Sequence, residues 1–191
     1  MTTRKLAMAG ALGLASLGLI GAGAGATFTD AVNVQQKITA GTIDMQLTSP
    51  NSTVSFSSNG KTATFANLGP TNSTFTSGEV PTTITNHGTV TANAIQLSAS
   101  DSRGTDPASN ALAGQMCVRI VSPIVNGGVA YEGSLTYLEA HPVQIEGPVA
   151  GNGGTDSFTT EFYAGSRACA SLDNAAQGGV VTPKITVSYQ G

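Results

Sequence analysis

Lys184-Ile185-Thr186-Val187-Ser188-Tyr189, near the end of the chain, places Ile185, Val187 and Tyr189 in one phase and Lys184, Thr186 and Ser188 in the other. A period of two, carried by β-branched and aromatic residues, marks a strand with one face in a core and one in water. The same reading recurs toward the N-terminus. Residues 158–163 put Phe158 and Phe162 in one phase, and residues 117–121 and 129–131 flank Asn126-Gly127-Gly128. Residues 80–85 and 89–100 flank Asn86-His87-Gly88, and Val54-Ser55-Phe56 and residues 62–68 flank Ser57-Ser58-Asn59-Gly60, a hairpin signal. Residues 42–48 align Ile43, Met45 and Leu47 against Asp44 and Gln46. Short half-polar runs at this spacing predict an all-β chain built as an antiparallel sandwich or barrel.

Helical signal is sparse. Residues 168–176, ended by Gly178-Gly179, and residues 108–113 are expected to form a turn or two each. Residues 100–114 and 147–156 read as long loops, and 132–146 as strand-like. With no solenoid repeat and no linker to split it, the stretch 42–191 is expected to be a single domain.

Composition narrows the function classes. Only 10% of the 191 residues are charged, against about 25% in ordinary soluble domains. Long surface helices, which draw on Glu, Lys, Arg and Leu, are therefore disfavoured, and coiled coils are excluded. A net charge of −3 gives no electrostatic footprint for nucleic acid. The hydrophobic content of 40% argues against wholesale disorder.

The first 26 residues carry the three parts of an export signal. Arg4 and Lys5 are the basic region, residues 6–24 are uncharged, and Ala22-Gly23-Ala24 and Ala24-Gly25-Ala26 are small-x-small cleavage sites. Cleavage after Ala26 would start the mature chain at Thr27. Six of the eight basic residues would then remain against eleven acidic ones, a net charge of −5. The membrane is expected to be touched only through this segment before cleavage.

Cys117 and Cys169 are the two cysteines. In an exported chain an even count points to a disulfide, worth roughly 4 kcal/mol in the chain-entropy model. Two buried free thiols are the alternative.

Catalytic patterns are missing. His87 and His141 are the two histidines, in an Asn-His-Gly turn and before Pro142, and neither belongs to a metal-binding helix motif. There is no Gly-x-Ser-x-Gly elbow. Asp101 and Asp106 fall in one expected loop and Asp156 in another, without an oxygen-ligand ladder for calcium. Glu132, Glu139 and Glu146 are spaced by seven, which reads as a solvated face. No catalytic residue, metal or cofactor is expected.

Two segments carry a family resemblance. Gly25-Ala26-Thr27-Phe28-Thr29-Asp30 followed by Ile38-Thr39-Ala40-Gly41-Thr42-Ile43-Asp44-Met45 resembles the signal-peptide junction and first strand of the TasA/camelysin family, whose signal peptides are cut by a SipW-type peptidase. Leu172-Asp173-Asn174-Ala175-Ala176-Gln177-Gly178, leading to the last strand, resembles that family's Asn-x-x-Gln-Gly turn. Residues 80–90 are similar to its strand–Asn-x-Gly-Thr–strand hairpin. The resemblance implies a jelly-roll-like β-sandwich, with short helical turns and long loops, held at the cell surface or in a biofilm matrix. It also implies fibres in which one subunit's N-terminal segment completes the next subunit's sheet. Residues 27–41, bearing Phe28, Val32, Val34 and Ile38, are the candidate donor strand, with an ordinary first strand or a flexible leader as the bland reading. The expected partners are further copies, other surface or matrix proteins, and the signal peptidase. The alternatives are a secreted metal-dependent peptidase, from the label some members carry, and an extracellular binding module. The absence of Trp argues against a sugar-binding module.

Overall fold

The computed structural model describes residues 41–123 and 128–190. Its elements, in chain order, are β1 (Met45–Thr48), β2 (Val54–Phe56), β3 (Thr62–Phe65), β4 (Phe75–Thr76), β5 (Val80–Asn86), β6 (Ala92–Arg103), α1 (Pro107–Gln115), β7 (Cys117–Val121), β8 (Val129–Ser134), α2 (Leu135–Ala140), β9 (Val143–Val149), β10 (Gly154–Ala164) and β11 (Val181–Gln190). They form an all-β sandwich of two antiparallel sheets. The first has the order β1-β5-β10-β7-β8, with β4 also on β10; the second has the order β2-β3-β11-β6-β9.

The period of two decides which side chains enter the core. Met45 and Leu47 of β1 are buried between exposed Gln46 and Thr48, as expected. In β5 the buried set is Val80, Thr82, Ile84 and Asn86. In β11 it includes Val181, Ile185 and Val187. Phe162 of the first sheet meets Phe65 of the second edge-to-face, with ring centroids 4.9 Å apart at 74°. Each fully buried Ile, Leu or Phe of this interior stabilises the fold by roughly 1.5–3 kcal/mol.

β6 and β11 form the longest ladder, from Val181 opposite Arg103 to Gln190 opposite Ala94. Pro183 sits inside it, although proline cannot donate to a ladder. The Val181 N–H bonds to the Leu68 carbonyl and the Val187 N–H to the Lys61 carbonyl, so odd positions face β3. Pro183 lies just past the last β11–β3 pair, Lys184 with Thr64, so its missing donor falls in the gap between that ladder and the separate Val181–Leu68 bridge.

Several expectations change. Residues 80–86 and 92–103 are strands, but they do not form a hairpin: β5 pairs with β1 and β10, and β6 pairs with β11 and β9. The chain crosses from one sheet to the other at Asn86-His87-Gly88, and Asn86 explains why. Its side chain accepts from the N–H of Asp44 (3.3 Å) and of Gly88 (3.0 Å), and donates to the carbonyls of Val90 (2.9 Å) and Val149 (3.2 Å). All four amide bonding positions of a buried residue are used to turn the chain. Gly88 is needed beside it, since a Cβ there would run into the Thr42 carbonyl and the backbone of Ile43 and Asp44.

The expected loop 100–114 is β6 as far as Arg103 and then α1. Asp106 caps this helix by accepting from the Ser109 N–H at 2.8 Å, and Pro107 occupies its first turn. The expected loop 147–156 is the end of β9, a tight turn with Asn152 at φ 59° and Gly153 at φ 92°, and the start of β10. Residues 168–176 hold isolated turns, with Asp173 accepting from the N–H groups of Ala175 and Ala176. The strand-like reading of 132–146 missed α2, which is capped by Ser134 and buries Leu135 and Leu138, one turn apart.

Candidate functional site

Ala24, Ala26, Thr27, Phe28, Val32, Val34 and Ile38 lie outside the described residues. The described chain enters at Gly41, packed against Val90, and the Thr42 carbonyl accepts from the N–H groups of Thr89 (2.8 Å) and Val90 (3.0 Å). The entry is thus fixed to the crossover between sheets, immediately before the edge strand β1.

Edge strands offer unpaired backbone groups to another chain unless something guards them. On β1 the outward Leu47 N–H goes to the Gly60 carbonyl at 2.7 Å, and two residues before the strand the Ile43 carbonyl accepts from the Tyr189 hydroxyl at 3.0 Å. Both contacts tie β1 to the other sheet. β2 has only three residues. β9 carries an exposed Pro148, and its pairing with β6 shifts register between Ala92 and Ala94. β8 is six residues long and has no proline. The Leu135 N–H bonds to the Met116 carbonyl, which turns Gly133 and Tyr131 toward β7 and leaves the backbone of Glu132 facing outward. Val129, 37% exposed, stands at the start of this edge.

Cys117 and Cys169 are bridged, with Cα atoms 6.1 Å apart. The bond holds the loop 165–172 against the first sheet beside β10. Leu172 N–H to the Ser73 carbonyl (2.8 Å) and Gly165 N–H to the Ala170 carbonyl (2.9 Å) complete its fixation. Arg167, with a φ of 52°, is carried over the Tyr163 ring at 4.9 Å from its centroid.

Beneath that loop lies the densest charge cluster of the described chain. Strand register places Glu161 opposite Arg119, and Arg119 opposite Glu132. Arg167 bonds Glu161 at 2.8 Å and approaches Glu132 at 3.9 Å, while Arg119 stands 3.8 Å from Glu132 and 3.7 Å from Glu79. Thr76 donates to Glu161 at 2.8 Å, and the Tyr163 hydroxyl donates to Glu132 at 3.0 Å. Burial, then the hydrogen bond to the Glu132 carboxylate, push the Tyr163 phenol up to about 12. Three carboxylates meet two guanidiniums here, and the ion pairs that Arg167 makes fasten the loop to the sheet. Sequence reading missed the cluster because strand register brings Glu161, Arg119 and Glu132 together and the bridged loop adds Arg167.

The histidines take positions suited to solvent and turns. His87 is exposed in the crossover, and His141 caps α2 and stacks on Tyr137 at 4.1 Å. Asp101 and Asp106 do not share a loop: Asp101 is in β6, paired to Arg103 at 3.0 Å, and Asp106 is the α1 cap. The Ser109 backbone N–H holds the Asp106 carboxyl below its ordinary value. Asp156 lies on the inner side of β10, and burial raises its carboxyl. Glu132 and Glu139 are partly covered and engaged in ion pairs, not a shared solvated face. Among the described residues no three His, Cys, Asp or Glu are grouped to hold a metal, and no helix is long and apolar enough to cross a membrane.

No family model matches the chain, and no curated protein matches it.

Proposed function

We propose that this chain is an exported structural protein of the cell surface or extracellular matrix, of the TasA/camelysin kind, that assembles by β-strand addition. In this reading the sandwich is jelly-roll-like, the first 26 residues are removed on export, and residues 27–41 of one copy lie along the β8 edge of another. Such a contact is heterologous and propagates into a fibre. The observation that carries the reading is the unequal guarding of the edges. β1 is tied to the opposite sheet, β2 is short and β9 carries proline, while β8 presents outward backbone beside Val129. The disulfide accords with an oxidising, extracellular setting.

Val32→Asp combined with Val34→Asp tests the donor role. Charge placed where apolar side chains must seat costs at least a few kcal/mol. Sedimentation at matched concentration should show wild type assembling and the double variant remaining a folded monomer. A wild type that stays monomeric at high concentration, with a variant that unfolds, would place the segment in its own domain and end the fibre reading.

A further inference from the structure

α2 joins β8, the edge of one sheet, to β9, the edge of the other, and packs on β6. Its apolar side is anchored by Leu135 and Leu138. Its one charged residue, Glu139, belongs to a three-residue cluster with Asp101 and Arg103 of β6. We propose that α2 is a proton-sensitive plug: docked, Glu139 carries a proton beside Asp101 and Arg103, and loss of that proton loosens the hold of the helix on β6.

The charge count and one unpartnered oxygen support this. Arg103 approaches Asp101 through Nε at 3.0 Å and Glu139 through Nη2 at 3.8 Å. Two carboxylates against one guanidinium leave an unbalanced negative charge at side chains 4% and 23% exposed. Asp101 Oδ1 is used by Arg103, whereas Oδ2 is buried without a hydrogen-bond partner. A buried acceptor left unpaired is costly. Glu139 shares the Arg103 guanidinium with Asp101, and as a neutral acid it can offer this carboxylate a donor. Burial first, and then the Asp101 charge, raise the Glu139 carboxyl, with Arg103 pulling the other way.

Other packed elements do not balance the charge. β11 sets Val181 opposite Arg103 and Pro183 opposite Asp101, and Lys184 is turned to Ser102 at 2.7 Å. α1 has no charged residue within Pro107–Gln115, and its Asp106 cap is bound to Ser109. On β8, Glu132 faces Arg119, Arg167 and Tyr163, and the Tyr131 hydroxyl goes to the Ser134 carbonyl. His141 stacks on the exposed Tyr137 with a ring nitrogen 3.1 Å from the Tyr137 carbonyl.

The sign follows from the raised carboxyl. The docked helix holds the proton to higher pH than the free helix, so docking is strongest in acid and weakens as pH rises through the docked value. One proton released corresponds to a tenfold change in the opening equilibrium per pH unit across that window. Release would loosen the connection between the β8 and β9 edges.

Hydrogen exchange of the amides of residues 135–140 in the mature protein, from pH 4 to 8 and corrected for intrinsic rate, tests the plug. Opening of α2 in wild type should rise by up to about tenfold per pH unit through the Glu139 titration, while β10 amides stay unchanged. Glu139→Gln, whose amide can donate to Asp101, should keep α2 closed and independent of pH. Asp101→Asn should reduce the dependence, because it removes the part of the rise that comes from the Asp101 charge and leaves the part that comes from burial. A flat wild-type profile overturns the proposal. So does a Glu139→Gln helix open at every pH, or full pH dependence retained in Asp101→Asn.

Discussion

Replacing Cys117 and Cys169 together by Ser tests both the energy of the bridge and the local job assigned to it. The two residues are 52 apart in sequence. In the chain-entropy model, closing a loop of that size removes roughly 14 cal/mol/K from the unfolded ensemble, or about 4 kcal/mol at room temperature. At about 2–4 °C per kcal/mol for a domain of this size, the melting midpoint should fall by roughly 8–16 °C. Calorimetry of wild type and variant, with and without reductant, measures the shift; under reductant the difference should largely close. A second readout separates global loosening from release of the loop 165–172. Tyr163 sits under Arg167, and burial is the first cause of its high phenol value of about 12. If the bridge holds that loop down, its removal lets water reach the phenol, and one of the four tyrosines should titrate earlier in a spectroscopic alkaline titration below the unfolding temperature. An unchanged midpoint, or freely alkylated thiols in the native exported protein, would refute the bridge. A lowered midpoint with an unmoved tyrosine titration would refute its role in seating Arg167.

Asn86→Ala should be among the most damaging polar substitutions. It leaves the Val90 and Val149 carbonyls and the Asp44 and Gly88 N–H groups without their partner, several of them buried, for a loss of at least a few kcal/mol read as a shift in urea midpoint; a loss under 1 kcal/mol would mean the crossover holds without it. Asp156→Asn acts through pH. The folded carboxyl keeps its proton to higher pH than the unfolded one, so wild-type stability falls as pH rises through the folded value and stays lower beyond it. The Asn variant should therefore gain on wild type as pH rises from 4 to 7, read as the difference in urea midpoint at the two pH values; an equal gain at both pH values would show that the effect is packing rather than charge.

Much of the sandwich was legible in local pattern, because a strand displays its burial every second residue. The alternations at Met45 and Leu47, at Phe158 and Phe162, and at Ile185 and Val187 each mark a strand and its inward side. The turn chemistry at Asn59-Gly60 marks a true hairpin between β2 and β3. α2 was also within reach, since Ser134 followed by Leu135 and Leu138 is a cap and one apolar turn. It was hidden by its length of six residues, too few for helical periodicity to stand out from the strands around it.

What the sequence determined by itself, then, is the class of fold, the inward phase of its main strands and the pair of cysteines available for a bridge. These follow from residue-by-residue chemistry and spacing. Only the tertiary structure decided which sheet each strand joins. Asn86-His87-Gly88 has the composition of a hairpin turn, yet the Asn86 amide reaches Val149, 63 residues away, and sends the chain across to the other sheet. The same holds for the charged groups. Glu161, Arg119 and Glu132 meet because register sets them side by side, and Asp101 meets Glu139 because α2 folds back on β6. Strand order and register are chosen by the summed burial of the whole sandwich, and no local window of residues contains that sum.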